Sequence, residues 1–288
     1  MNHKSRLACL SAMAWLSLLG GCSTPTAADL ADVAGDLPPD LEFGVSGGKD
    51  DLENRYHTVV LISSERGLCS GALIDPRLVL TAAHCLCLPA TPTVTEGRID
   101  NSSCAANVTV VTHTYEKLNP HGLVASNPRL YQGVASAYPG FSAKVRSESV
   151  VSFEGDLAVV LLEQPVSGVK VDFRLPKAEV TLDESLIMVG YGDTRHRGQD
   201  GGRRRFGRNV VTDIQLSVGG NGSFAFRAVG AHTHGGDSGG PCFREDKGGR
   251  WLVGINMGHA NAGAISLFTS AFHYRNWIEQ RIREANAG

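Results

Sequence analysis

Net charge is nearly absent from this 288-residue chain: 27 Lys and Arg stand against 29 Asp and Glu, a formal charge of −2. Such a balance gives no global field that would draw nucleic acid or an acidic membrane surface. Long stretches with a 3.6-residue hydrophobic period are also few. The apolar run from Leu7 to Leu19 falls short of a membrane span. What the chain has instead is 34 glycines and 12 prolines set among short Val, Ile and Leu runs. That pattern favours many short strands joined by turns, so all-β is the expected class. With 42% hydrophobic and 19% charged residues, the chain can bury a core and has room for one large or two small domains.

His3, Lys4 and Arg6 precede the Leu7–Leu19 run, the arrangement of an export signal. The run ends in Leu19-Gly20-Gly21-Cys22, which resembles a bacterial lipobox. The expectation is a signal over 1–21 and a lipid on Cys22, with a plain signal peptide ending near a cysteine as the alternative. From Ser23 to Gly44 the chain is rich in Ala, Asp and Pro and has too little apolar surface to fold alone. Residues 22–44 therefore read as a tether or propeptide.

Two segments carry chemistry. Thr81-Ala82-Ala83-His84-Cys85 follows the strand-like Leu78-Val79-Leu80 and lies downstream of Cys69-Ser70-Gly71-Ala72-Leu73-Ile74. Taken alone, a histidine beside a cysteine is more often structural or a metal ligand. Far downstream stands Gly235-Gly236-Asp237-Ser238-Gly239-Gly240-Pro241. Without side chains on its glycines, this backbone can turn sharply, expose Ser238 and aim the amides of Gly236 and Ser238 at one point. An oxyanion could form there. Between the two segments, Gly155-Asp156 heads the apolar strand Leu157–Leu162, and an acid in that position needs a partner.

Together these segments resemble the trypsin-like peptidases of the chymotrypsin type, in the order His, Asp, Ser. The resemblance implies His84 as general base, Asp156 as the carboxylate that orients it and Ser238 as nucleophile of a serine endopeptidase. It extends over residues 45 to 285. Val45-Ser46-Gly47-Gly48 is similar to the family's mature amino terminus, whose freed amine would pair with Asp237. Val59–Ile62 falls at its first strand and Leu186–Gly192 at the strand and turn opening a second barrel. Tyr274–Ile282 is similar to its closing helix, with Trp277, Ile278 and Ile282 on one face. The implied fold is two antiparallel Greek-key six-stranded barrels: 45–173 with His84 and Asp156, then 174–272 with Ser238. A short C-terminal helix follows over 273–285.

The resemblance also implies a bridge from Cys69 to Cys85, with Cys87 and Cys104 as a local second pair. Cys242 is left as a small buried hydrophobe. Departures from the family concern the specificity pocket. Where trypsins carry an aspartate this chain has His232, followed by Thr233 and His234, so cleavage after Arg or Lys is not expected. An acidic or polar side chain is the alternative preference. Met257 and Gly258 fall on the strand that would pair with bound peptide, and Asn256 and Met257 replace the usual serine and tryptophan. The bond from that serine to Asp156 is thereby in question.

The run Arg195-His196-Arg197, Arg203-Arg204-Arg205 and Arg208 reads as an exposed loop. It gives the rival reading, a catalytically silent trypsin-like binding protein that holds polyanions. An esterase of the α/β-hydrolase type would need the order Ser, Asp, His, which is absent. The expected partner is a protein or peptide substrate, with no nucleic acid and with membrane contact only through lipid on Cys22. No cofactor or metal is expected.

Overall fold

A computed structural model describes residues 45, 48–88, 95–118, 124–192, 202–215, 222–260 and 264–287. The expected signal, tether and Cys22, together with Arg195-His196-Arg197, lie outside these residues.

Short apolar runs separated by turns give an almost wholly antiparallel β structure. Six strands close the first barrel: β2 (Val59–Ser64), β3 (Gly67–Asp75), β4 (Leu78–Thr81), β6 (Asn107–Lys117), β7 (Val124–Ala137) and β10 (Ala158–Leu162). Their order is β10-β4-β3-β2-β6-β7, and the pairing of β7 with β10 seals it. Ile62, Leu73, Leu80, Leu157 and Leu162 are fully buried inside, each worth about 1.5–3 kcal/mol relative to exposure. An accessory sheet of β5 (Glu96–Asp100), β8 (Ser142–Arg146) and β9 (Ser149–Glu154) lies in the order β5-β8-β9.

The second half contains β11 (Ser185–Gly190), β12 (Arg205–Val210), β13 (Asp213–Gln215), β14 (Ser223–Arg227), β15 (Pro241–Asp246), β16 (Gly249–Ala260) and β17 (Ile265–Ser270). With β1 (Lys49–Asp50) at one edge, the order is β1-β12-β11-β15-β16-β17-β14-β13. Only Val211 and Thr212 separate β12, which pairs with β11, from β13, which pairs with β14. One bent segment thus touches both ends of the sheet. Thr212 N donates to Ala225 O at 2.9 Å, and Asn209 Nδ2 to Arg227 O and Ala231 O at 2.8 and 2.6 Å. The sheet curls shut around Phe224, Phe226 and Phe268, whose ring centroids lie 5.3–5.7 Å apart.

The closing helix, α2, runs Arg275–Ala287, shifted two residues toward the carboxyl end from the expected 273–285. Its Ile278 is fully buried in the first barrel's core, and Trp277 meets Tyr138 edge-on at 5.4 Å. Trp277 and Ile282 pack partly buried on that core, the face read from the sequence.

Two expectations need correction. The β1 segment, placed by the sequence in the first half, pairs with β12 of the second. The arginine run is not an exposed loop at Arg204 and Arg205, both of which are buried. The cause is common to both: the run is complementary to Asp50 of β1 and to Asp51, which follows it. Arg205 Nε donates to Asp50 Oδ1 at 2.9 Å, Arg203 to Asp50 Oδ2 at 3.1 Å and Arg204 Nε to Asp51 Oδ2 at 2.7 Å. Arg204 also reaches His113 O, Tyr191 Oη and Asn54 Oδ1, and its ring-facing guanidinium sits 5.2 Å from the Tyr115 centroid. A buried cation this fully bonded is a structural tie, unavailable to a polyanion.

Candidate active site

Strand β4 ends at Thr81, and the chain turns through Ala82 and Ala83, both fully buried, into the single-turn helix α1 (His84–Cys87). The small residues let this turn press into the core while His84 stays partly exposed at its edge. Cys85 is joined to Cys69 on β3, which pins the turn to the barrel wall, and Cys87 is joined to Cys104. Both pairs are those expected. Such bridges persist in oxidising compartments.

Asp156, 1% exposed, sits in the turn between β9 and β10. Its Oδ2 lies 2.7 Å from His84 Nδ1, and its Oδ1 accepts from His84 N at 2.8 Å. The carboxylate therefore grips the ring and the backbone of the same residue. The ring bond sets the tautomer, with the proton on Nδ1 and the lone pair on Nε2. Phe153 stacks on the imidazole at 5.3 Å.

Nε2 also lies 3.8 Å from Cys85 Sγ, and the donor atoms of Cys69, His84 and Cys85 cluster within 4.8 Å. The two sulfurs are spent on each other as a disulfide, however. They offer no thiolate, and the set does not fit a metal.

The glycine-rich segment is fitted against this turn. Gly236 (φ +94°) and Gly239 (φ +79°) occupy the left-handed region, and a Cβ on Gly239 would stand 2.1 Å from Thr81 Oγ1 and 3.1 Å from Ala82 N. Only glycine permits that approach, and it sets Ser238 beside the His84 turn. Across the same junction, Ser70 N donates to Ser238 O at 2.7 Å, and Ser70 Oγ donates to Gly236 O at 2.8 Å while accepting from Tyr191 N at 2.9 Å. Ser70 was not singled out from the sequence. Its only signal was a polar residue inside an otherwise buried strand.

Among the described residues the amides of Gly236 and Ser238 donate to nothing, whereas those of Asp237, Gly239 and Gly240 are bonded. Two neighbouring free N–H groups are what an oxyanion needs. Ser238 Oγ is likewise without a hydrogen bond to His84 Nε2. Such bonds are commonly long in an empty site and tighten when substrate arrives. Asp237 is buried, with Oδ1 accepting from Gly192 N at 2.8 Å and Oδ2 from His234 N at 2.9 Å. Val45 is buried at 1% exposure in the second core.

The other predicted pocket residues meet through β17. Thr233 N donates to Ser266 Oγ at 2.9 Å, and Ser266 and Leu267 pair with His259 and Gly258 of β16. His232 is buried, its Nδ1 3.3 Å from Gly230 O, and Thr233 Oγ1 is buried without a hydrogen-bond partner among the described residues. Met257 Sδ lies 3.6 Å from Thr269 Oγ1. Asn256 gives no bond to Asp156; its Oδ1 accepts from Gly258 N at 2.9 Å and its Nδ2 is unpartnered. A cleft of about 640 Å³ runs between β9 and the second barrel, lined by Phe153, Met257, His259 and Leu267 among others; it meets the site through Phe153, and His84 and Ser238 do not line it.

Comparison with known proteins places this arrangement. The family model described as Trypsin matches residues 45–278, well over half the chain. The chain belongs to the trypsin family. Its relatives within the trypsin-like serine proteases include phenoloxidase-activating factor 3 of Holotrichia diomphalia, 24% identical over 84% of this chain and 73% of that protein. A trypsin-like protease of Streptomyces glaucescens is 25% identical over 78% and 77% of the two chains, and a trypsin of Saccharopolyspora erythraea 25% over 85% and 99%. Among solved structures, a mutant of human heparin binding protein superposes with a TM-score of 0.58 at 19% identity, covering 83% of this chain and 97% of that one. That likeness bears on the fold of this trypsin-family chain, which the two barrels share.

Proposed function

We propose that this chain is a serine endopeptidase in which Ser238 attacks the peptide carbonyl, His84 takes its proton and Asp156 stabilises the imidazolium that results. His84 hands that proton to the leaving amine as the peptide C–N bond breaks and the acyl-enzyme forms on Ser238; water, giving a proton to His84, then hydrolyses the ester, and His84 returns the proton to Ser238. The observation that carries the reading is the double grip of Asp156 on His84, which leaves Nε2 as the basic nitrogen beside the serine segment. The free amides of Gly236 and Ser238 supply the oxyanion site. The rival, a silent polyanion-binding protein, loses two members of its proposed carrier, because Arg204 and Arg205 are buried and paired with acids.

The pocket of His232, Thr233, Met257 and Gly258 contains no carboxylate, which disfavours substrates with Arg or Lys at the cleaved position. The unpartnered Thr233 hydroxyl and His232 suit an acidic or polar side chain. Digestion of a mixed peptide library by wild type and by Ser238→Ala tests both points. Wild type should cut, without Arg or Lys preference, and the variant should not. Equal cutting by the two would overturn the assignment of Ser238.

Export under the 1–21 signal and anchoring through lipid on Cys22 complete the proposal. Labelled fatty acid should enter wild type and not Cys22→Ala. Cleavage before Val45 would free an amine for Asp237 and release the enzyme from its tether. Amino-terminal sequencing of the active form should then begin at Val45, and an active form that starts at Cys22 would exclude this step.

A further inference from the structure

On β12, remote in sequence from the serine and histidine segments, Phe206 and Arg208 alternate onto one face; Lys49 of β1 stands opposite Phe206 and Ile187 of β11 opposite Arg208. With Arg55 and Tyr56, these side chains line a pocket of about 190 Å³. It is too small for a drug-sized molecule, whose sites start at roughly 300 Å³. Its chemistry is one-sided: three cationic side chains, an aromatic floor and no acid in the lining.

Three observations point to an anion. First, of the arginine run, Arg208 is the described member that forms no ion pair or hydrogen bond through its side chain among the described residues, while Arg203, Arg204 and Arg205 are held by Asp50 and Asp51. Second, the nearest carboxylates are already engaged. Glu245 and Asp172 each lie 2.6 Å from Arg250, and Arg55 reaches Glu245 only at 3.5 Å. Third, Tyr56 is fully buried, and its hydroxyl has no hydrogen-bond partner among the described residues. The ring is fixed by Phe206 at 5.0 Å and covered by the Arg250 guanidinium at 4.4 Å. Burial and then the Glu245 charge push that hydroxyl's pKa up, and Arg55, Arg250 and Arg208 all act against them. A phenol held among guanidinium groups, with no acceptor, is a donor in want of a negatively charged oxygen.

We infer that this pocket binds a single tetrahedral oxyanion, a sulfate or phosphate group, through Arg208, Arg55 and the hydroxyl of Tyr56. The group could be a free ion or an ester on a larger molecule, since the same oxygens are presented by both. The site stands independently of the proposed peptidase chemistry.

The test is thermal unfolding of the full chain titrated with inorganic sulfate and with inorganic phosphate, at an ionic strength held constant with sodium chloride. A ligand that binds only the folded state raises the midpoint in a saturable way. Wild type should show such a rise. Arg208→Gln should need at least about tenfold more anion for the same shift, the scale of one lost charge-assisted bond. Tyr56→Phe removes only a hydroxyl that bonds to nothing among the described residues, so it should fold normally and also respond more weakly. Arg98→Gln, a surface cation elsewhere, should respond like wild type. A rise that never saturates, or one that is equal in wild type, Arg208→Gln and Tyr56→Phe, overturns the inference. Repeating the titration with a sulfated and a desulfated oligosaccharide separates the sources: a shift with the sulfated one alone assigns an ester, and a shift with inorganic ions alone assigns a free ion.

Discussion

The hydroxyl of Ser70 donates to the carbonyl of Gly236 at 2.8 Å, joining the first barrel to the loop that carries the free amides. The same hydroxyl accepts from Tyr191 N, and the Ser70 amide holds Ser238 O. One buried residue therefore fixes the backbone on both sides of the proposed nucleophile. Ser70→Ala should lower kcat about tenfold with KM little changed, because the amides would lose their aim while the cleft stays intact. The orphaned polar groups should cost about 1–3 kcal/mol of stability. A loss confined to stability, with kcat unaltered, would make Ser70 merely structural.

Arg204 and Asp51 form the most deeply buried ion pair described, at 2.7 Å with both side chains under 2% exposed. Removing one partner leaves the other charge uncompensated. Arg204→Met should therefore lower unfolding free energy by about 3–5 kcal/mol, read from chemical denaturation. An unchanged midpoint would show that water reaches Asp51.

Acidification should weaken the fold in two steps. Burial, aided by the neighbouring Arg204 charge, holds the His113 imidazole below its ordinary value. Folded His113 thus binds protons less readily than unfolded His113. Its contribution is complete above the ordinary histidine range, near pH 6.5, and is lost as pH falls through the lower folded value. For Glu184, burial raises the carboxyl, but bonds from Arg244 and Thr181 outweigh it and the net direction is down. Its contribution is present above the ordinary carboxylate range and lost as pH falls further. Unfolding midpoints measured from pH 8 to pH 3 should decline accordingly, and His113→Gln should flatten the first step.

The specificity pocket offers a gain-of-function test. His232→Asp would place a carboxylate at the buried position that trypsins use for basic side chains. Cleavage of Arg and Lys substrates should rise at least about tenfold in kcat/KM. No gain would indicate that His232 lies off the path of the substrate side chain.

What the sequence made legible follows from distance along the chain. The His84 turn, the Asp156 strand and the Ser238 loop are each short segments in which residue type and neighbours prescribe the local backbone. The Cys69–Cys85 bridge spans a separation of 16, a local constraint of the same kind. Ser70 and Arg204 were missed in these roles because their partners are far away: Tyr191 is 121 residues from Ser70, and Asp51 is 153 from Arg204. No periodicity reports such a pairing. A run of arginines with glycines looks like solvated surface until Asp50 and Asp51 are brought to it.

The central claim is that Ser238 is an activated nucleophile served by His84. The most direct test is reaction with a serine-reactive phosphonate, followed by mass spectrometry of the labelled peptide. One adduct is expected, on Ser238, with labelling slowed by orders of magnitude in His84→Ala and absent in Ser238→Ala. An intact, folded chain that takes no label, or takes it on another residue, would contradict it.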